Sequence, residues 1–303
     1  MSKHQTWPDI AKGVGIILVV FGHAWRAANT SGMLPTGPVY TAVDQAIYAF
    51  HMPLFLFLSG WFFPGSLQAN AQSTLFRRVL TRILYPMCIW TYLFILLQMA
   101  AGGSANTAVD STALLRLPVP PYQHLWFLWA LAVLQGIVIL LRPLALRHLT
   151  GFFAVITALA VVLLLGNVVP YSPYLLGVLP SAPYFFLGAL WSRLGPIPGS
   201  QAAAIAATVV FIAVEAQIIL SGAPASVALA LLAGVVLLVS VLIVVRALTP
   251  LGGPVLRVLQ MLGVNSMAIY LMHTVFSAAT RIGLLKVIGT SNLALHLLCA
   301  VLA

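Results

Sequence analysis

The feature that most restricts this chain is its division into apolar windows about as long as a bilayer is thick, separated by short breaks rich in proline and glycine. Windows of spanning length run over roughly 10–28, 42–63, 83–101, 124–141, 149–169, 174–192, 201–220, 225–248, 258–277 and 283–303. The breaks include Leu34-Pro35-Thr36-Gly37-Pro38, Pro118-Val119-Pro120-Pro121, Pro170-Tyr171-Ser172-Pro173, Gly195-Pro196-Ile197-Pro198 and Pro250-Leu251-Gly252-Gly253-Pro254. In hydrocarbon each backbone polar group must be satisfied within its own segment, so such windows are helices. The expected fold is all-α, a polytopic membrane helix bundle of about ten transmembrane helices. It forms a single domain over residues 1–303 and leaves no room for a separate soluble domain. Pro180 and Pro183 are expected to kink or shift the sixth helix.

Composition excludes the soluble classes. Charged residues make up 6% of the chain, against about 25% in a water-soluble domain. A net charge of +10 would suggest nucleic acid as partner in a soluble protein. In a membrane protein it is a topology signal, because basic residues collect on cytoplasmic loops, and no nucleic-acid partner is expected. With the N-terminus inside, the inner side receives Lys3, Lys12, Arg77, Arg78, Arg82, Arg142, Arg147, Arg193, Arg246 and Arg257, and the outer side Arg26, Arg116, Arg281 and Lys286. This asymmetry predicts a cytoplasmic N-terminus, and an even number of helices a cytoplasmic C-terminus. The basic start and first apolar run outline a secretory signal, but His23, Trp25 and Arg26 stand where small residues should prepare cleavage, so an uncleaved first span is expected. Cys88 and Cys299 lie in apolar stretches and are read as packing residues; no metal site is expected.

Ionisable residues inside spans are costly and therefore functional candidates. Lys12 and His23 are 11 residues apart, close to three helical turns, so they share a face about 16 Å apart along the axis. Asp9, three residues before Lys12, is placed to pair with it. The plain alternative is a snorkelling lysine and an interfacial histidine. In the second window Asp44, Tyr48 and His51 share a face. Counting from the helix starts puts His23, Asp44, His124, Glu215 and His273 at one level near the outer side. On the inner side Arg77, Arg78 and Arg82 are either positive-inside anchors or a phosphate site, since guanidinium forks suit phosphate oxygens.

These residues resemble a known family. Asp9-Ile10-Ala11-Lys12-Gly13 followed by Val19-Val20-Phe21-Gly22-His23 is similar to the opening motif of the acyltransferase 3 family of integral membrane acyltransferases, in which a basic residue, usually Arg, precedes an essential His by ten intervening residues. Lys in that position resembles the branch of fucose 4-O-acetyltransferases. Phe50-His51-Met52-Pro53-Leu54-Phe55-Leu56-Phe57-Leu58-Ser59-Gly60, Arg77-Arg78 with Pro86, His124-Leu125-Trp126-Phe127-Leu128, and Gly263-Val264-Asn265-Ser266 with Tyr270-Leu271-Met272-His273 match in the same order.

The resemblance implies transfer of an acetyl group from cytoplasmic acetyl-CoA, a co-substrate, to a hydroxyl of a sugar on a cell-surface glycan or its lipid-linked precursor, in the cytoplasmic (inner) membrane. Some family members carry an extracytoplasmic domain that completes transfer; this chain would act alone or with a separate partner. His23 matches the catalytic His and Lys12 its basic partner. Lys12, Arg77, Arg78 and Arg82 are candidates for the coenzyme A phosphates. His23 is the candidate general base, with Asp44 or Glu215 fixing its tautomer. His51, His124, Trp126, Asn265, Tyr270 and His273 are candidates for the acceptor or the developing oxyanion. An acetyl-His intermediate is a second course. A proton-coupled transporter or a flippase for a lipid-linked sugar is the alternative from another class, although matching inverted halves are not evident in the sequence.

Overall fold

The computed structural model describes residues 5–102, 112–116, 118–119, 122–167, 172–175, 177–221, 226–289 and 292–302. Lys3 and Asp110, the side chain of Arg116, and the breaks at Pro120-Pro121 and Pro170-Tyr171 lie outside the described residues. The described elements are helical: α1 Trp7–Thr30, α2 Pro38–Tyr48, α3 His51–Ala69, α4 Gln72–Val79, α5 Tyr85–Ala101, α6 Ala113–Arg116, α7 Trp126–Leu140, α8 Arg142–Ala145, α9 Leu149–Leu165, α10 Val178–Leu194, α11 Gln201–Ser221, α12 Val227–Leu248, α13 Pro254–Val264, α14 Ser266–Gly283 and α15 Leu293–Leu302. Among the described residues seven stretches are long and apolar enough to cross a membrane: Trp7–Thr30, Pro38–Ala69, Gln72–Ala101, Gln123–Leu140, Gln201–Ser221, Val227–Leu251 and Ser266–Lys286. Helices α9, α13 and α15 are shorter and apolar. The outward faces of α11 and α12 carry Ile205, Val209, Ile212, Leu220, Leu229 and Leu232 exposed, as lipid-facing surfaces require. The chain is a multi-pass helical membrane protein.

Several helix limits differ from the windows, for identifiable reasons. The first helix starts at Trp7 because Pro8, in its first turn, gives up no hydrogen bond. The third window begins eleven residues earlier than expected, at Gln72 instead of residue 83. A π-helical turn at Leu80–Leu84 joins α4 to α5, so Arg77, Arg78 and Arg82 lie on helix rather than on a loop. The sixth window starts at Val178, with Pro180 in its first turns and Pro183 held inside it. The ninth window is two helices. At Asn265 the backbone leaves the helix (φ −93°, ψ 7°), and the side-chain amide donates back to the Met261 carbonyl at 2.8 Å, closing α13 before α14 begins. The tenth window is displaced in turn: the helical run of α14 continues through a π turn to Ile288, and α15 starts at Leu293.

The described residues fall into two compact units, with the boundary inside α3 between Phe55 and Leu56. One gathers α1, α2 and α11–α15; the other gathers α4–α10 with most of α3. Each is closed by reciprocal glycines. In the first unit a Cβ on Gly13 would strike the Leu259 carbonyl, and one on Gly263 the Asp9 carbonyl, so α1 and α13 meet backbone to backbone. In the second, Gly60 faces the Phe185 carbonyl and Gly188 the Phe57 carbonyl, joining α3 to α10 in the same way. Small residues are what allow such approach between helices in lipid, where packing rather than water exclusion drives association. The second unit adds polar ties: Gln72 Nε2 donates to the Ile139 carbonyl at 2.9 Å and Arg142 Nε to the Leu67 carbonyl at 3.1 Å.

Candidate active site

Lys12 and His23 stand on one helix, α1, with no proline between them. Their separation of eleven residues corresponds to about 16 Å of rise. At the lower end Lys12 Nζ donates to Asp9 Oδ1 at 2.7 Å, the pairing that the i, i+3 spacing predicts. Asp9 is buried and Lys12 partly covered, so the ammonium is held by its own helix instead of extending freely to the interface.

At the upper end His23 lies in a cluster of rings. Its imidazole is 4.9 Å from that of His273, centroid to centroid, and 6.3 Å from the ring of Tyr48, edge to face. Tyr48 is in turn 4.6 Å from His51, and Tyr270 lies 6.0 Å from His273. The juxtaposition of His23 and His273 agrees with the common depth read from the sequence, although that count took the ninth window as one unbroken helix. The α1–α2 connection makes the cluster possible. Gly32, at φ +78°, turns the chain where an L side chain would be strained. Asn29 donates its side-chain amide to the Leu34 carbonyl and to Thr36 Oγ1, each at 2.9 Å. Trp25 Nε1 donates to the Tyr40 carbonyl at 3.2 Å while the two rings stack. Gly22 then lets α2 approach: a Cβ there would be 3.2 Å from both Ile47 and Tyr48.

Two imidazoles in the cluster have a fixed tautomer. His51 Nδ1 sits 2.6 Å from the Ile47 carbonyl and His273 Nδ1 sits 2.7 Å from the Tyr270 carbonyl. A carbonyl only accepts, so in each ring Nδ1 carries the hydrogen, and Nε2 of the neutral ring is the basic nitrogen. Both histidines are buried.

Asp44, aligned with His23 by depth, binds a different partner. Arg26 Nε and Nη2 donate to its two oxygens at 2.5 and 2.8 Å, and the guanidinium carbon lies 3.2 Å from the centroid of the Tyr48 ring. The carboxylate therefore fixes an arginine, and the arginine caps the tyrosine that packs on His23. Arg26 was not a site candidate from the sequence, and Tyr48 entered only as sharing a face with Asp44 and His51. The available signal was that Arg26 follows His23 by one turn and faces one of only four acidic residues in the chain.

The remaining candidates stand on other elements. Glu215, on α11, has both carboxylate oxygens buried without a hydrogen-bond partner among the described residues; its helix packs Phe211, Val214 and Ile218 with Phe50 and Leu237. Asn265 is exposed at the α13–α14 break. His124 and Trp126 belong to the other unit, where the His124 ring meets Phe94 at 5.0 Å and Trp126 covers Gly177. In that unit Thr74, Arg77, Arg78, Thr81 and Arg82 line a cavity of about 310 Å³, and Arg78 Nη1 reaches Ser66 Oγ at 3.4 Å. Cys88 and Cys299 are both unbonded.

Comparison with known proteins decides the family. A family model described as an acyltransferase domain, the Acyl_transf_3 family, matches residues 5–303. The chain belongs to the acyltransferase 3 family. It is 30% identical over 198 residues to the nodulation protein NolL of Sinorhizobium fredii (strain NBRC 101917 / NGR234), covering 61% of this chain and 48% of that one. It is 27% identical over 191 residues to the nodulation protein NolL of Mesorhizobium japonicum (strain LMG 29417 / CECT 9101 / MAFF 303099), covering 61% and 47%. The aligned part spans about half the length of these curated relatives. No solved structure matches the chain.

Proposed function

We propose that this acyltransferase moves an acetyl group from cytoplasmic acetyl-CoA to a sugar hydroxyl, on a cell-surface glycan or its lipid-linked precursor, in the inner membrane. The observation that carries this reading is His23, standing on the unbroken α1 against His273 and Tyr48. Membership in an acyltransferase family separates the enzyme from the carrier that similar buried histidines would also suit.

In the proposed step the His23 imidazole takes the proton of the acceptor hydroxyl as its oxygen attacks the thioester carbonyl. The C–O bond forms, the C–S bond breaks, and the coenzyme A thiolate leaves with the proton returned from the imidazolium. His273 and His51, with Nδ1 held by backbone, present Nε2 to the acceptor or, when protonated, donate to the developing oxyanion. Tyr270 lines the same cluster. Asp44 acts through Arg26, holding Tyr48 against His23, and is a positioning residue. Glu215, on the helix that packs against Phe50, is the second candidate carboxylate for the His23 tautomer.

For the donor, the guanidinium groups of Arg77, Arg78 and Arg82 supply forks for phosphate oxygens, and the Thr74 hydroxyl of the cavity adds a donor, the Thr81 hydroxyl being given to the Arg77 carbonyl. Lys12 belongs to the other unit, and its role is proposed by itself: a charge held by Asp9 about three turns from His23 along α1. Roles for His124 and Trp126 in acceptor binding are likewise proposed by themselves.

The test is release of free thiol from acetyl-CoA by the purified full chain given a membrane glycan extract as acceptor. Release that depends on the extract and is lost in His23→Ala supports the reading. Unaltered release in the variant, or solute flux without thiol release, overturns it. Acetyl trapped on His23 with donor alone replaces direct transfer by the acetyl-His course.

A further inference from the structure

Serine and threonine hydroxyls in these helices have a habitual partner. Thr30, Thr81, Thr157, Thr208, Ser221 and Thr249 each donate to the carbonyl four residues back, which is how a hydroxyl is made tolerable in hydrocarbon. On α14 two hydroxyls depart from this. Thr274 Oγ1 and Ser277 Oγ are buried and have no hydrogen-bond partner among the described residues, and Ser277 is only 9% exposed. One turn further on, Arg281 Nε is buried and equally unpartnered.

The three residues form one stripe, at i, i+3 and i+7 of a single helix face. Side chains in a helix lean toward its N-terminus, so the Arg281 head lies over the turn that holds Ser277, on the side of His273. Of the buried residues of α14, Tyr270, His273 and Ser277 lie on this face and Leu271 to one side of it, while Phe276 is exposed on the far side. A helix C-terminus does not account for the arginine, because the helical run continues through Leu284–Ile288.

Among the described residues no carboxylate supplies a counter-charge here. Among the described acidic residues Asp9 is bound to Lys12, Asp44 to Arg26, and Glu215 makes no hydrogen bond. A half-buried guanidinium with an orphaned Nε–H and two orphaned hydroxyls is expensive in a membrane protein unless something completes it. What completes it must be anionic and must accept several hydrogen bonds from directions that do not share a plane. A tetrahedral phosphate does this; a carboxylate is planar and is served by the guanidinium fork alone.

We propose that Thr274, Ser277 and Arg281 form a phosphate-binding subsite on α14, beside the His23–His273 pair, for a phosphate carried by the acceptor. The assignment of the ligand as acceptor rests on the acyl-transfer reading above; the phosphate site itself does not. The phosphate arrives either on a free sugar or as the diphosphate of a prenyl carrier.

The experiment uses the full chain in a phosphate-free maltoside detergent, with binding followed by tryptophan fluorescence. The probes are a hexose 1-phosphate, farnesyl diphosphate, and the uncharged hexose and farnesol. At least one phosphorylated probe should bind about tenfold or more tighter than its uncharged counterpart, as expected for charge-assisted hydrogen bonds. Preference confined to the hexose phosphate assigns a free sugar phosphate, and preference confined to farnesyl diphosphate a prenyl carrier; either supports the subsite. R281Q should reduce the preference to within about twofold, R281K should keep part of it, and S277A should lower it about threefold. Equal binding of charged and uncharged probes, or a preference retained in R281Q, overturns the proposal. If R281Q does not fold, S277A and T274V carry the test, and a full preference in both overturns it. Thiol release measured on the same preparations keeps the readings apart. Phosphate preference without thiol release removes acyl transfer and leaves the subsite; thiol release without phosphate preference does the converse.

Discussion

Around His23, four other rings pack within 4.6 to 6.3 Å of a neighbour, and an ion pair joins Asp44 to the Arg26 guanidinium that lies over Tyr48. Around Arg78, three guanidinium groups share a cavity with two threonine hydroxyls, and among the described residues no carboxylate lines it. The first arrangement fixes side chains against one another and neutralises its charge internally. The second leaves positive charge unneutralised and half open. A proton-transfer centre needs ring positions held to a fraction of an ångström; a site that captures a polyanion needs only charge and reach. Substitutions should therefore act on turnover in one region and on donor concentration in the other.

The largest effect is expected at His23. His23→Ala should lower turnover about a thousandfold or more, since a positioned base contributes about 10²–10⁴, with expression and acetyl-CoA binding retained. A loss carried mainly by KM would move His23 from the chemistry to binding. Next comes charge reversal of Arg78 and Arg82 together. KM for acetyl-CoA should rise about tenfold while kcat stays within about twofold, and added salt should mimic the effect in the parent protein. A KM indifferent to both would make these arginines topology anchors.

The contrast also shows what the sequence carried. Spacing along a single helix was legible: Lys12 with Asp9 and Lys12 below His23 follow from helical periodicity alone, and the neighbouring of Tyr48 and His51 survives the short break between α2 and α3. So was the arginine cavity, because its lining comes from one continuous helical run. Partners across helices were harder to read. The Arg26–Asp44 pair depends on Gly22 and on the Asn29-braced turn that bring α2 to α1, and each residue alone reads as an interfacial charge. The division of the ninth window at Asn265 escaped because hydropathy averages over one polar residue, and the break uses a side-chain bond to Met261 instead of proline or glycine. The bonds from His51 and His273 to backbone carbonyls are ring orientations that no spacing specifies.

A smaller effect is expected at the ion pair. Arg26 and Asp44 side chains are 44% and 19% exposed, so the pair is worth about 1 kcal/mol or less, well short of a fully buried one. Arg26→Gln or Asp44→Asn should lower kcat about fivefold by loosening Tyr48. Because both act through one contact, the double variant should be no worse than the weaker single. Additive losses would mean that Asp44 also serves His23 directly.

The smallest effect separates position from stability. At Gly22 a Cβ would press on Ile47 and Tyr48 at 3.2 Å, whereas at Gly136, on α7, nothing lies within 4 Å. Alanine is a better helix former than glycine by about 1 kcal/mol, and this gain is fully available at Gly136. At Gly22 it is offset by overpacking, typically about 1–3 kcal/mol when neighbours must yield. Gly136→Ala should therefore raise thermal stability slightly with unchanged turnover. Gly22→Ala should leave stability within about 1 kcal/mol and lower kcat about twofold, because the atom displaced is on the ring that packs against His23. Equal turnover in the two variants would show that the Tyr48 position has slack, and that the precision attributed to the His23 cluster resides in the His23–His273 contact alone.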